Sequence, residues 1–382
     1  MNTVLSIFFK HKQGGFNKRL YALYLGLAER GIKVHYVATE KFPIDHKNLV
    51  AHIVRVPCSK SENYIFWASF IIITPFVLLY TARKFKIDRF VVFEPFYACI
   101  CLLAKLLIGK PLITFIRSDV AKEYEIFQKS WLQRTFNRQV EIVGLKSSDK
   151  IIPNSNLLAR TLIERNMLDL DSFCVIPNNI REQADSEAYE KQALRSRYAI
   201  REEDFVIATA VVFNEKKNIS FLIKSFSQAR FTNVRLLIIG DAVGKDKVGR
   251  KMLEDQARSL GIQEKVVFTG WLSDPTKLLT ISNLFVLPSR EEGSPNALLE
   301  ALGCGLPCLG SRIPEIEEVL QYDELVFSLD SESELTEKMK RAATDSEYYK
   351  LLCELSSRQR KKFTFDWEDA VFKHIAAAHT VV

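Results

Sequence analysis

The sequence predicts an α/β protein of two domains, each alternating buried strands with helices. Three observations carry this. The 382 residues exceed one ordinary core and suit two of about 180. Short apolar runs cut off by Gly, Pro or Asn recur along the whole chain, as strands of a buried sheet do. Between them lie longer stretches with helical spacing, such as Ile219, Leu222, Ile223 and Phe226. With 47% apolar residues and nearly balanced charge, the chain is a folded protein. Cys58, Cys99, Cys101, Cys174, Cys304, Cys308 and Cys353 form no Cys-x-x-Cys pair. They read as reduced core residues of a cytoplasmic protein.

In order, Val4–Phe9 reads as the first strand, and the residues before it show no charged leader or cleavage site. Lys12–Phe16, with Gly14 and Gly15, is a glycine turn into a helix over Lys18–Arg30 that ends at Gly31. Ile32–Ala38 is the next strand. Asn63–Ala82 is an uncharged stretch of twenty residues, interrupted by Pro75 and followed by the basic Arg83–Lys86. Its length just reaches a membrane span. Three readings stay open: a helix packed in the first domain, a helix dipping one face into a membrane surface, or a span that would break a βαβ unit. Asp88–Phe93 reads as a strand, Ala98–Leu107 as a helix, and Pro111–Ile116 as a buried strand ending in Arg117-Ser-Asp119. Arg117 either grips a phosphate or pairs with Asp119 or Glu123.

Ile151–Ser155 and Cys174–Ile180 are further strand-to-loop stops, and the polar stretch Arg181–Tyr198 reads as the linker. The expected boundaries are a first domain over 1–181, a second over 182–362, and a closing segment over 363–382. The second domain starts with the strand Phe205–Phe213. Asn214–Phe226 is a turn with Lys216 and Lys217 leading into an amphipathic helix. Val234–Ile239 and Val266–Gly270 are strands separated by the helix Lys251–Leu260. Phe363–Ala378, with Trp367, is a helix returning to the first domain.

The most informative stretch begins at the strand Leu284–Leu287, stopped by Pro288. Ser294-Pro295 is expected to open a helix, serine as N-cap and proline at the first helical position, and Gly303 and Gly305 close it. A strand, a loop and a helix start form an anion site, because first-turn amides and the helix dipole favour a phosphate. Glu292 precedes this helix and Glu300 lies inside it. At about 1.5 Å of rise per residue, Ser294 to Glu300 covers roughly 9 Å, about the separation of the two sugars flanking a diphosphate.

Pro288, Ser289, Glu292, Gly293, Glu300, Ala301, Gly305 and Pro307 spell, in order, a string that resembles the donor-site signature of family 4 retaining glycosyltransferases. The resemblance covers most of residues 4–380 and is strongest from Phe205 to Val319. It implies the GT-B fold, two Rossmann-like domains facing a cleft, with the C-terminal helix returning to the first. It also implies a retaining hexosyltransferase that uses a nucleotide-diphosphate sugar, UDP-sugar favoured over GDP-sugar. The acceptor would be a saccharide or lipid-linked saccharide, in cell-surface polysaccharide or glycolipid synthesis.

By that resemblance, Glu292 contacts the donor sugar, and the loop Gly293, Ser294, Pro295, Asn296 and Ala297 holds the diphosphate. Glu300 holds the ribose, and Gly270 lies beside the base. Gly14 and Gly15 match the family's N-terminal glycine loop. Lys217 matches a diphosphate-gripping lysine that belongs, with Glu292, to the catalytic set. The partner arginine of the family falls on Val211 or Val212, a departure that Lys216 or Arg290 would have to make good. Arg117 stands where the family often has a histidine that meets the donor sugar.

Residues 1–180 hold 25 Lys and Arg against 14 Asp and Glu, a net of +11, while the remainder is mildly acidic. That bias suggests an anionic partner, a membrane surface in preference to nucleic acid, since no nucleic-acid motif occurs. The expected location is cytoplasmic, peripheral on the inner face of the cell membrane. The six histidines form no ligand-spaced cluster, so no metal and no other cofactor is expected; cationic side chains and the helix dipole would stabilise the departing diphosphate. Two alternatives remain: a GT-B sugar-nucleotide epimerase, and a catalytically silent glycosyltransferase-like subunit.

Overall fold

The computed structural model describes residues 2–11, 15–58, 63–121, 130–180, 188–242, 248–272 and 274–377. It divides into two compact units, Met1–Pro177 with Asp366–Val382, and Asn178–Phe365.

The first unit is built on six strands: β1 (Thr3–Ile7), β2 (Lys33–Ala38), β3 (Leu49–Ile53), β4 (Arg89–Phe93), β5 (Leu112–Ile116) and β6 (Lys150–Pro153). They form one sheet in the order β3-β2-β1-β4-β5-β6, and every pairing is parallel. Helices α1 (Gly15–Glu29), α2 (Tyr64–Lys84), α3 (Pro95–Ile108) and α4 (Trp131–Lys146) lie between these strands, and α5 (Asn156–Asn166) follows the last of them. Both faces of such a sheet are covered, so its strands are continuously apolar. Strand β5, Leu-Ile-Thr-Phe-Ile, flanked by β4 and β6, is buried at every position.

The second unit holds β7 (Phe205–Ala210), β8 (Val234–Ile239), β9 (Val266–Gly270), β10 (Leu284–Leu287), β11 (Cys308–Ser311) and β12 (Val326–Phe327). Their order is β12-β11-β10-β7-β8-β9. The helices are α6 (Ala188–Arg197), α7 (Ile219–Gln228), α8 (Val248–Ser259), α9 (Thr276–Leu279), α10 (Asn296–Gly303), α11 (Pro314–Leu320), α12 (Glu332–Thr344) and α13 (Ser346–Phe363). A last helix, α14 (Trp367–Ala377), belongs to the first unit. There Trp367 is buried beside Phe115, with Arg19 over its ring, and Arg89 donates to the Ala376 carbonyl at 2.9 Å.

Three expectations are corrected. The stretch read as a linker carries α6; residues 181–187 lie outside the described residues. Pro75 does not interrupt α2, which runs unbroken through it. The closing helix starts at Trp367, because α13 extends to Phe363 and the chain then leaves helical geometry.

Candidate donor site

In the second unit the chain winds outward from β7 through β8 to β9, then returns to the other side of β7 with β10. The strand order therefore reverses between β7 and β10, and in open parallel sheets ligands bind beyond the strand ends at such a point. The loops that leave these two neighbouring strands carry the expected residues.

After β7, Asn214 caps a single 3-10 turn, Glu215–Lys217, its side chain accepting from the Lys217 amide. After β10, the chain passes through Ser289 and Arg290 to α10. The Arg290 amide donates to the Lys216 carbonyl at 2.7 Å, which ties the two loops together. Lys217 Nζ meets Glu292 Oε1 at 2.6 Å, and Lys216 Nζ meets Glu291 Oε2 at 2.8 Å. Ser289 Oγ also donates to Glu292 Oε1, at 2.7 Å. The Glu292 side chain is 7% exposed, so its carboxylate is held in one orientation.

At the start of α10 the expected serine cap is absent. The capping position is Pro295, which makes no side-chain cap bond. Ser294 Oγ instead accepts from Asn178 Nδ2 at 2.8 Å, and the same amide donates to Asn296 Oδ1 at 2.7 Å. Buried Asn178 thus pins the helix start from the segment that opens this unit. The amides of Gly293, Ser294 and Ala297 have no acceptor among the described residues. They surround the helix N-terminus as anion-binding donors require. At its other end α10 closes with Gly305 at φ +77°; the amides of Leu306 and Gly305 reach the carbonyls of Ala301 and Leu302. Glu300 lies inside this helix, half-buried.

Gly270 ends β9, and its carbonyl accepts from Gly240 at the end of β8. Beside it Arg250 pairs with Asp241 at 3.3 Å. Of Val211 and Val212, where the resemblance would put an arginine, Val211 is buried and Val212 half-buried. A Cβ on Gly240 would come within 1.9 Å of the Val211 carbonyl oxygen, so that position accepts only glycine. Lys216 and Arg290 stand next to Lys217 on the tied loops. Among the described residues no three His, Cys, Asp or Glu side chains form a group able to hold a metal ion.

Arg117 and Gly15 belong to the first unit, Gly15 opening α1; Gly14 lies outside the described residues. Arg117 follows β5, and its amide donates to Glu94 Oε1 at 3.2 Å. Desolvation pulls its guanidinium down to about 10, against the Glu94 charge, which acts the other way. Asp119, one of its expected partners, pairs instead with Arg165 at 2.8 Å; Glu123 lies outside the described residues.

Two residues escaped the sequence. Asn178 was visible only as part of a Pro-Asn loop stop. Glu94, at φ +71° just after β4, has backbone geometry that no local pattern announces.

Residues 190–361 match the family model described as glycosyl transferases group 1, and residues 13–183 that described as glycosyltransferase family 4. The chain is 26% identical over 232 residues to the serotype-specific mannosyltransferase WbdA of Escherichia coli, covering 59% of this chain and only 28% of WbdA. It is 24% identical over 370 residues to a Campylobacter jejuni enzyme, 94% of this chain and 95% of that one. That relative is the N-acetylgalactosamine-N,N'-diacetylbacillosaminyl-diphospho-undecaprenol 4-alpha-N-acetylgalactosaminyltransferase. The crystal structure of Anabaena HepE in complex with UDP and glucose superposes with a TM-score of 0.77 over 98% of both chains, at 16% identity. That likeness shows the fold, GT-B.

Proposed function

We propose, from the premise that the chain belongs to the family 4 type of glycosyltransferases with the GT-B fold, that it transfers a hexosyl unit from a UDP-sugar with retention of configuration. The acceptor is a saccharide carried on a lipid, and the product a cell-surface polysaccharide or glycolipid. The observation that carries this is the meeting of Lys217 and Glu292, 2.6 Å apart, from neighbouring loops at the strand reversal.

The donor's diphosphate lies against the amides of Gly293, Ser294 and Ala297 with Lys217 beside it, and Lys216 and Arg290 supply the charge that Val211 does not. Glu300 accepts the ribose hydroxyls, and Glu292 accepts those of the transferred sugar. The bond from the anomeric carbon to the diphosphate breaks as the acceptor oxygen bonds to that carbon on the same face. The acceptor's proton passes to the departing phosphate oxygen. Cations and amides aimed at that oxygen stabilise its charge. We read the reaction as needing no metal, so activity persists in a strong chelator.

The acceptor reading draws on the first unit. Helix α2 buries Phe66, Phe70, Thr74 and Leu78 along one stripe and exposes Ile65, Ile72, Phe76 and Tyr80 on the opposite one. By length and composition it is apolar enough to cross a membrane. With the net positive charge of residues 1–180, the exposed stripe fits monotopic attachment to an anionic bilayer, at the inner face of the cell membrane. The full-length Campylobacter relative, whose name specifies an undecaprenol-linked substrate, supports the same reading.

A silent subunit is the second reading, favoured by the absence of an arginine at Val211 and Val212. Incubation with UDP- and GDP-hexoses and polyprenyl-diphosphate saccharides, followed by NMR of the product, separates them. Transfer from a UDP-hexose with the donor's own anomeric configuration is expected. An epimerised donor without transfer, or no reaction, would overturn the proposal.

A further inference from the structure

Two serines support the loop after β10, Ser289 within it and Ser311 at the end of the neighbouring strand β11. Both are fully buried. A buried hydroxyl needs a hydrogen-bond partner, and a serine has one proton to give. Ser289 gives its proton to Glu292 Oε1 at 2.7 Å, and Ser311 gives its own to the Ser289 carbonyl.

The peptide unit joining Ser289 to Arg290 is held at both of its polar atoms. Ser311 holds the carbonyl, and the Lys216 carbonyl holds the Arg290 N–H at 2.7 Å. Rotating that unit would break one of two bonds, so the Ser289 hydroxyl is delivered to a fixed point. Lys217 Nζ reaches the same carboxylate oxygen from the turn after β7, at 2.6 Å. The terminal torsion of a glutamate is broad and roughly two-fold, so a carboxylate held by one donor still turns. Two donors arriving from different loops stop it.

Both donors converge on Oε1, and among the described residues none reaches Oε2. The two oxygens of one carboxylate therefore differ: Oε1 is bound to the protein, while Oε2 keeps both lone pairs, enough for two neighbouring hydroxyls of one sugar. We propose that Ser289 is a positioning residue for the transfer, holding Glu292 by Oε1 so that Oε2 alone reads the hydroxyls of the transferred sugar. The proposal rests on the donor reading of Glu292 above, and adds which oxygen meets the sugar and what aims it.

Ser289→Ala removes one oxygen and adds no bulk. In transfer assays with the UDP-hexose donor its kcat/KM should fall about threefold to tenfold, the loss of one hydrogen bond to a carboxylate. UDP carries no sugar for Oε2 to read, so its affinity, measured by calorimetry, should stay at the wild-type value and show the variant folded. A serine that merely shaped the loop would weaken both, because the amides of Gly293, Ser294 and Ala297 continue the same loop. Since Ser289 acts through Glu292, Ser289→Ala should cost nothing further in a Glu292→Ala background. Wild-type kcat/KM in Ser289→Ala, a loss of UDP affinity equal to the loss in kcat/KM, or full additivity with Glu292→Ala would each overturn the proposal. Glu292→Ala with wild-type activity would overturn the reading of Glu292 itself. A damaged Glu292→Ala beside an unaffected Ser289→Ala would overturn only the role of Ser289.

Discussion

At the residue scale, the donor reading turns on Lys217 and Glu292. Their 2.6 Å contact puts the only expected family cation directly beside the carboxylate assigned to the sugar. Removing that cation from a departing diphosphate acts mainly on the transition state, so Lys217→Ala should lower kcat more than it raises KM. A loss of about tenfold to a hundredfold in kcat corresponds to a charged hydrogen bond of roughly 1.5–3 kcal/mol. Steady-state kinetics check this, and an unchanged kcat would move the role to Lys216 or Arg290. The sequence singled out both members of the pair, Glu292 within the ordered string and Lys217 by its place in the turn after the second domain's first strand. Ser294 was misjudged because its hydroxyl has a competing partner, Asn178, from a segment more than a hundred residues away. Glu94 was illegible for a related reason: its positive-φ backbone belongs to the junction between β4 and the proline that opens α3, not to a local sequence pattern.

At the element scale, β8, β9 and β10 fall at the expected limits because each apolar run ends in Gly or Pro. Helix α13 was not anticipated, since its polar exposed face hides the apolar stripe that packs inward. Helix packing was also out of reach of the sequence. A Cβ at Gly144 of α4 would lie 2.2 Å from the Pro95 carbonyl oxygen, so α4 rests directly on the start of α3. Gly144→Ala should destabilise the protein by about 3 kcal/mol or more, read from urea unfolding. A near-neutral result would mean that the two helices are not in contact. The strands β2 and β3 bring His35 and His52 together, ring nitrogens 2.8 Å apart. Burial, then the charges of His52 and Lys33, lower His35 to about 4. Since the folded protein resists protonating this ring, stability should fall as pH drops from about 6.5 to 4, by up to about 3 kcal/mol. His35→Leu should flatten that acid limb, and an unchanged limb in the variant would refute the assignment.

At the scale of the whole molecule, the first 180 residues carry the positive charge and the exposed apolar side chains of α2 and α4. Each basic residue near an anionic bilayer contributes about 1 kcal/mol, an effect that salt screens. The full-length protein should float with anionic vesicles at low salt and largely release at high salt. Equal behaviour with neutral vesicles would remove the membrane from the account. The two-unit α/β architecture was legible because parallel strands buried on both faces write themselves as bare apolar runs. A site was readable as an ordered string only in the second unit, where the candidate residues lie mostly in the loop after β10 and the helix it enters. The central claim, that the loops after β7 and β10 hold a nucleoside diphosphate, is tested most directly by calorimetric titration with UDP. The account predicts saturable one-to-one binding by the wild-type protein, weakened about tenfold or more in Glu300→Ala through loss of a ribose hydrogen bond to a charged group. No binding of UDP, or identical affinity in the variant, would contradict it.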